Sequence, residues 1–321
     1  MLCEKMTSLL EEEKTNYRPL ARDLKPGSLL DFHNKDLPLV VIPDLHARNY
    51  FLRNIVNFFL PKDFIFGMKE ITVFEALKKK LIHLVFLGDA LHSEKTTRLR
   101  WLEIENEFHR GSYTGPRMKE EMTEGLSLLM GLYYLKISFP ENFHFLKGNH
   151  ENVLNVNANG DFAFRKYADE GNMVKTFIHN FYGDDILYLI SLVENSLPLL
   201  YFGKNAVVSH AEPERSFSKE QIINAKLEEG VVKGLIWTDN GVAEKNSAKG
   251  VIKNLFGQDN EDCVYLAGHR SIKGDYNILQ NGRFIQIHNP IKQNVAFVHI
   301  NKKFNADEDI KSVENGGEYE R

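Results

Sequence analysis

Short, nearly continuous runs of apolar residues recur along the chain, and several end beside a polar side chain. The run at residues 81–87 stops at Gly88-Asp89. A run of this length without polar alternation is typical of a strand that is buried on both faces. A carboxylate at the end of such a strand costs free energy unless a positive charge binds it. Asp89 is therefore the first candidate metal ligand.

Four further apolar runs end in the same way. The runs and the polar residues that follow them are 38–42 with Asp44 and His46, 143–146 with Asn149 and His150, 206–208 with His210, and 263–267 with His269. In α/β sheets, binding sites form beyond the carboxyl ends of the strands. The pattern therefore predicts an α/β fold in which five loops bring these side chains to one rim.

The chemistry of the predicted ligands favours a transition metal over calcium. Carboxylate, amide and imidazole groups without a thiolate suit Mn²⁺, Fe or Zn²⁺ better than Ca²⁺. Six protein ligands are too many for one open catalytic ion, but they suit two ions that share Asp89. Paired ions of this kind clamp an in-line displacement at phosphorus. The six predicted ligands are Asp44, His46, Asp89, Asn149, His210 and His269.

The segments between the runs predict helices and one hairpin. Apolar spacing indicates helices within 51–59, 70–80 and 121–135, and Asn281-Gly282 suits the turn of a hairpin over 276–287. Residues 93–125 follow Asp89 directly and form a charged, helical insertion. We expect this insertion to narrow or respecify substrate access.

The predicted domain spans residues 37–301. Residues 1–36 are a polar N-terminal extension with one short helix, and residues 302–321 are a charged, loosely ordered tail.

Composition excludes several classes of function. The chain has 321 residues, 43% of them hydrophobic, and a net charge of -4, so charge alone does not favour a nucleic-acid partner. Two cysteines cannot form a disulfide framework and fit a reducing compartment.

The first residues do not have the pattern of a signal peptide, and no segment has the pattern of a membrane span. We therefore expect a soluble cytoplasmic protein; its oligomeric state is left open.

The order of the motifs resembles that of calcineurin-like metallophosphoesterases. Residues 139–151, FPENFHFLKGNHE, resemble the stretch that marks the PPP family of Ser/Thr protein phosphatases. Residues 235–239 are similar to the family's Leu-Trp-Ser-Asp segment, and residues 268–287 resemble the closing region of bacterial members. The resemblance covers about residues 39–300.

The resemblance implies a four-layer α/β/β/α sandwich with two mixed sheets, and two divalent or mixed-valence ions, Mn or Fe, with Zn as an alternative. Asp44, His46 and Asp89 would bind the first ion, and Asp89 with three further residues the second. These three are Asn149, His210 and His269. A metal-bridging hydroxide would attack phosphorus, and His150 would protonate the leaving group.

The sequence departs from the family pattern after Asp89. The family has Gly-Asp-x-x-Asp-Arg-Gly, whereas His92 and Ser93 stand here at the Asp and Arg positions; Ala47 also replaces a usual glycine. His92 is a substitute for the orienting aspartate, a substrate contact or only a loop residue. A phosphoryl site needs further positive charge, for which an arginine is suited. The candidates are Arg270, Arg48 and Arg165.

Three functions follow as hypotheses. The first is a metal-dependent phosphoric monoester hydrolase, a Ser/Thr protein phosphatase acting on a phosphorylated protein. The second is a hydrolase of nucleotides or other small phosphate esters. The third is a catalytically weak metal-binding scaffold, against which the complete ligand set and His150 argue.

Overall fold

The computed structural model describes residues 2–68, 70–94 and 97–314. Its strands are β1 (Leu29–Asp31), β2 (Leu39–Ile42), β3 (His83–Phe86), β4 (Phe143–Phe145), β5 (Leu200–Phe202), β6 (Ala206–Ser209), β7 (Val264–Ala267), β8 (Asn277–Leu279), β9 (Phe284–Gln286), β10 (Asn294–Val298) and β11 (Ile310–Ser312). Its helices are α1 (Leu2–Glu11), α2 (Asn49–Asn57), α3 (Val73–Lys78), α4 (Arg98–His109), α5 (Pro116–Ser138), α6 (Glu170–Tyr182), α7 (Asp184–Ser196), α8 (Lys219–Ile223), α9 (Val231–Ile236), α10 (Ser247–Phe256) and α11 (Ala306–Asp309).

The strands form two mixed sheets. One has the order β11-β10-β2-β3-β4, in which β2, β3 and β4 are parallel. The other has the order β1-β5-β6-β7-β9-β8, in which β6, β7 and β9 are parallel. All residues of β2, β3, β4, β6 and β7 are buried, which explains why these strands are continuous apolar runs in the sequence.

Alternate residues of each strand enter different cores. Val41 and Val85 pack with Val208 and Leu266 between the two sheets. Val40 and Leu84, one position away on the same strands, pack with the helices outside the first sheet. Because β-strand side chains alternate between faces, each sheet separates a shared core from a helix-covered one. The result is the expected α/β/β/α sandwich.

The N-terminal residues belong to this sandwich and are not a separate extension. Helix α1 packs against α5 and α7, and β1 forms an edge of the six-stranded sheet by pairing with β5. Arg18 is buried and donates to Glu13 and to the carbonyl of Gly27. These contacts join residues 2–36 to the domain.

The predicted loose tail is wrong for part of its length. Residues 306–312 form α11 and β11, and β11 pairs antiparallel with β10. Ile310 and Val313 are buried, so this segment covers the edge of the five-stranded sheet with few but well-placed apolar residues. Residues 315–321 lie outside the described residues.

The predicted hairpin and helices are confirmed, with different bounds. Strands β8 and β9 pair antiparallel, and Asn281 and Gly282 between them have positive φ angles of 56° and 86°. The insertion after Asp89 folds as α4 and the first part of α5, which begins earlier than predicted, at Pro116. Among the described residues, no helix combines the length and apolar character needed to cross a membrane.

Candidate metal centre

The predicted ligands lie together at the carboxyl ends of the strands. Asp44 and Asp89 follow β2 and β3, Asn149 follows β4, and His210 follows β6. All four are at most 2% exposed, although none is apolar. Because the two sheets present these strand ends on the same side, residues distant in the sequence form one buried cluster.

One group of donor atoms surrounds Asn149. Its Oδ1 lies 2.8 Å from Nε2 of His210 and 3.0 Å from Nδ1 of His269. His210 Nε2 is also 3.4 Å from Oδ2 of Asp89. These four residues are the set expected to bind the second ion.

A second group of donor atoms also adjoins Asp89. Nε2 of His46 is 3.7 Å from Asp89 Oδ2 and 4.0 Å from Asp44 Oδ2. Oδ2 of Asp89 therefore faces both groups, as required of a ligand shared by two ions. The structure brings all six sequence-predicted ligands into one cluster.

Two glycines allow the loops that carry these ligands to approach each other. Gly88 has a φ of 105°, and a Cβ built on it would lie 2.3 Å from the backbone nitrogen of Gly148. The carboxylate of Glu151 then accepts hydrogen bonds from the backbone N–H groups of Gly148, Asp89 and Ala90, at 2.7, 2.8 and 2.9 Å. Glu151 thus holds the two loops together.

The ring orientations fit metal coordination. Nδ1 of His46 is 2.9 Å from the carbonyl oxygen of His92, and Nδ1 of His210 is 3.1 Å from that of Leu87. Each ring therefore has one nitrogen bonded to a carbonyl and the other directed into the cluster. Metal-binding histidines are usually oriented by such a bond.

The electrostatics of the cluster also fit a cation. Burial raises the pKa of Asp44 and of Asp89, and for Asp89 the neighbouring Asp44 carboxylate raises it further. Burial lowers the pKa of His46 and of His269 to about 3, so both imidazoles are neutral, as ligands must be. Buried atoms without a hydrogen-bond partner include Oδ1 of Asp44 and Nε2 of His269. A divalent cation would relieve the carboxylate repulsion, so the residues fit a metal centre.

Sequence reasoning missed His288. This residue is fully buried, and its Nδ1 lies 3.8 Å from Oδ2 of Asp44. Three of the four residues before it, at 284–287, are apolar, and β9 ends within this stretch. The rule that identified the other strand-end ligands therefore also applied to His288.

His150 lies beside the shared carboxylate. Its Nε2 is 3.6 Å from Asp89 Oδ2, and its backbone N–H donates to Asp89 Oδ1 at 2.9 Å. Its other ring nitrogen, Nδ1, lies 2.9 Å from Nδ1 of His92. The Phe164 ring covers both imidazoles, with centroid distances of 3.6 Å to His150 and 4.9 Å to His92.

The surroundings of His92 exclude one of its three predicted roles. The side chain is buried and contacts His150, so it is not an exposed loop residue. The insertion holds this loop in place, because Nε1 of Trp101 on α4 donates to the carbonyl of Ser93 at 2.9 Å.

The three candidate arginines have different surroundings. Arg48 is buried and donates to the carbonyls of Asp44, Leu45 and Asn289, so its guanidinium braces the loops. The expectation that it binds phosphate is therefore corrected, because its donors are already bonded. The side chain of Arg165 is 70% exposed and pairs with Asp169 at 3.0 Å.

Arg270 is the candidate arginine whose aspartate partner lies beside a predicted metal ligand. Its side chain is half-exposed and pairs with Asp239, whose Oδ1 is also 3.9 Å from Nε2 of His269. A second cation near the site was not predicted: Lys166 pairs with Glu94, and Oε1 of Glu94 lies 3.5 Å from Nε2 of His46.

Comparison with known proteins identifies the fold. No protein-family model matches the chain. A protein serine/threonine phosphatase from Saccharomyces cerevisiae, described as similar to human phosphatase PP5, aligns with a TM-score of 0.59 at 13% identity, covering 97% of this chain and 87% of that one. A cold-active protein-tyrosine phosphatase of a psychrophilic Shewanella aligns with a TM-score of 0.47 at 14% identity, covering 87% and 81%.

A metallophosphoesterase from Sphaerobacter thermophilus aligns with a TM-score of 0.35 at 14% identity, covering 87% of this chain and 89% of that one. Of these three, the yeast structure has a score above 0.5 and supports the fold. Its match spans nearly the whole chain, including both sheets. The chain therefore has the fold of the calcineurin-like, PPP-type metallophosphoesterases.

Proposed function

We propose that this protein is a dinuclear-metal-dependent phosphomonoester hydrolase of the Ser/Thr protein phosphatase type. The observation that supports this most directly is the position of Asp89. Its Oδ2 lies 3.7 Å from His46 Nε2, 3.4 Å from His210 Nε2 and 3.6 Å from His150 Nε2. One carboxylate thus contacts both ligand groups and the candidate general acid.

The ligand groups define where two ions would bind. Asp44, His46 and Asp89 would hold one ion, and Asp89, Asn149, His210 and His269 would hold the other. Mn or Fe suits this mixture of oxygen and nitrogen donors, and Zn is the alternative. Bound divalent ions lower the pKa of water toward neutrality and neutralise charge on a phosphoryl group.

His150 is the proposed proton donor to the leaving alkoxide. Its Nε2 points toward the shared carboxylate, while its Nδ1 is held by His92. General acids must reach the leaving group in a fixed orientation, and a partner on the second ring nitrogen provides it. His92 thus does for His150 what an aspartate does in the resembled family.

The proposed substrate class is phosphoserine or phosphothreonine in proteins, and a small phosphate ester or nucleotide is the second candidate. The second candidate is favoured by the surroundings of Ser93, at the position of the family's phosphate-binding arginine. Ser93 carries no charge, unlike the arginine of the family. Its side chain is also buried and bonded to Glu121. Arg270 is the proposed phosphate-binding residue.

A substrate panel tests the proposal. The full chain is freed of metal, loaded with two equivalents of Mn²⁺, and assayed on phosphopeptides, an aryl phosphate, dinucleoside polyphosphates and cyclic nucleotides. We expect metal-dependent release of phosphate, greatest on phosphopeptides. The Asn149→Ala variant should lose this activity, whereas Asn106→Ala, on the exposed face of α4, should keep it.

Preference for a nucleotide would replace the first substrate class with the second. Protein that binds two ions and hydrolyses none of these compounds would instead support a metal-binding scaffold and contradict the proposed hydrolase.

A further inference from the structure

We infer that His288 is an additional protein ligand of the ion held by Asp44 and His46, and that Glu94 orients its ring. This inference rests on the proposed metal centre and extends its ligand set. His288 is not part of any sequence motif on which the family resemblance rests. It is assigned here from its position, its unpaired ring nitrogen and its carboxylate partner.

The first observation is the position of the His288 ring. Donor atoms of Asp44, His46 and His288 all lie within 4.8 Å of one another. The centroids of the His46 and His288 rings are 5.4 Å apart, with an interplanar angle of 56°. Two imidazoles and a carboxylate thus bring donor atoms close enough together for one ion.

The second observation is an unpaired nitrogen. Nδ1 of His288 is fully buried and makes no hydrogen bond, and it lies 3.8 Å from Oδ2 of Asp44. A buried polar atom without a partner costs about 1–3 kcal/mol. A cation bound between His288 and Asp44 would remove that cost, because a neutral imidazole nitrogen and a carboxylate oxygen are both metal donors.

The third observation is the partner of the other ring nitrogen. Nε2 of His288 lies 3.3 Å from Oε2 of Glu94. Lys166 pairs with the same carboxylate and helps to keep it ionised. When Nε2 carries the proton and donates to Glu94, Nδ1 is left with its lone pair directed at Asp44.

The same arrangement occurs in the other ligands of the centre. His46 and His210 each bond one ring nitrogen to a carbonyl oxygen and direct the other into the cluster. His288 differs in using a carboxylate, which raises the basicity of a ligating imidazole more than a carbonyl does.

The backbone fixes His288 at the same rim as the other ligands. Strand β9 is parallel to β7, and His288 follows it as His269 follows β7. The carbonyl of His288 accepts a hydrogen bond from the N–H of Ile272 at 3.0 Å, which joins the two loops. His288 therefore lies at the same rim as the other ligands.

With His288 included, each ion has four protein ligands and shares Asp89. The first ion gains a nitrogen donor and loses an open position, so it should be held more tightly than three ligands allow. A chelator should therefore not remove the first ion more readily than the second.

Metal titration tests this inference. Metal-free full-length protein is titrated with Mn²⁺ by calorimetry, and bound metal is counted after gel filtration. We expect two ions in the wild type. In His288→Ala, one ion should bind about 10- to 100-fold more weakly, and the other should be unchanged within twofold. Glu94→Gln, which keeps His288 but weakens its orienting partner, should give a smaller loss at the same ion.

His299→Ala is the matched control, because His299 is a partly buried histidine that lies 3.5 Å from a carboxylate oxygen of Asp309, in another part of the fold. Its two Mn²⁺ affinities should equal those of the wild type. Circular dichroism of the metal-free proteins shows whether each variant is folded. Should His288→Ala fail to fold, His288→Asn and Glu94→Gln provide the same comparison.

Cobalt substitution gives a second readout. Loss of a nitrogen donor should change the visible absorption of Co²⁺ at one of the two positions in His288→Ala and His288→Asn. Unchanged Mn²⁺ affinities together with an unchanged Co²⁺ spectrum would overturn the inference while leaving the metal centre intact. A wild-type protein that binds no divalent ion would overturn the metal centre itself.

Discussion

The Nδ1 atoms of His92 and His150 lie 2.9 Å apart. One of the two rings must therefore donate and the other accept. Burial lowers the pKa of His92 to about 3 and lowers that of His150 well below its ordinary value. A His–His pair thus stands where the resembled family pairs histidine with aspartate.

The side chain of His92 should support turnover and not metal binding. We expect His92→Ala to lower kcat about 10- to 100-fold, with KM and metal content unchanged, because His150 loses the group that orients it. His92→Asp should restore most of kcat. The φ of 63° at this position is one that aspartate tolerates.

Steady-state kinetics and metal analysis of both variants check this prediction. Equal loss of kcat in His92→Ala and His92→Asp, or loss of metal in either, would indicate that His92 only fills space.

His150 should be required for chemistry and not for metal content. Replacing it with asparagine removes the proton donor, and general acids of this kind contribute about 10²- to 10⁴-fold to rate. We therefore expect His150→Asn to lose most of kcat on an alkyl phosphate. An aryl phosphate with a good leaving group should be affected less, because it needs less protonation.

Comparison of the two substrates by the same assay, with metal content measured alongside, tests His150. Parallel loss of metal and rate would show that the residue is structural.

Arg270 should bind the substrate phosphate. We expect Arg270→Ala to raise KM for an aryl phosphate about tenfold, which corresponds to about 1.4 kcal/mol of binding free energy. Arg165→Ala is the matched control, because Arg165 is also an arginine paired with an aspartate, and its side chain is 70% exposed. An effect of Arg165 that equals or exceeds that of Arg270 would reverse this assignment.

Gly268 should be intolerant of a side chain because of its contact with Asp44. A Cβ built on Gly268 would lie 1.9 Å from Oδ1 of Asp44. We expect Gly268→Ala to displace this ligand, weaken the first ion and cost about 1–3 kcal/mol of stability. Gly274→Ala, whose added Cβ would have its nearest neighbour at 3.7 Å, should change neither.

Mn²⁺ titration and urea unfolding measure the two effects of the Gly268 substitution. Wild-type metal affinity in Gly268→Ala would contradict the tight contact.

Glu194 should make stability fall as pH rises. Burial raises the pKa of this carboxyl from 4.5 to about 8. Between these values the unfolded chain has released its proton while the folded protein still holds it, so the folded state loses stability with increasing pH. Glu194→Gln keeps an acceptor for the N–H of Val153, which donates to Glu194 at 2.8 Å.

Urea unfolding of metal-free protein at pH 5 and pH 8 checks this sign. The Glu194→Gln variant should match the wild type at pH 5 and exceed its stability at pH 8 by on the order of 2 kcal/mol. A parallel fall of both proteins between the two pH values would rule out Glu194 as the source.

The apolar runs of the sequence predict the buried strands and the polar residues at their ends. Strands such as β2 and β3 are buried on both faces, which requires continuous apolar runs, and the polar residue that ends each run is conspicuous. Asp44, Asp89 and His210 were predicted in this way. The tail was misjudged because β11 is an edge strand and needs only a few apolar residues, such as Ile310.

Which side chains meet within the site depends on how the two sheets pack. His92 and His150 are 58 positions apart, and His288 and Glu94 are 194 apart, so no local pattern predicts either contact. The structure also shows that Arg48 donates hydrogen bonds to backbone carbonyls. Its position two residues after His46 does not predict these bonds. The hydrophobic pattern predicts where the strands end. The contacts between side chains of the site depend on how the two sheets pack, and no single stretch of sequence encodes that packing.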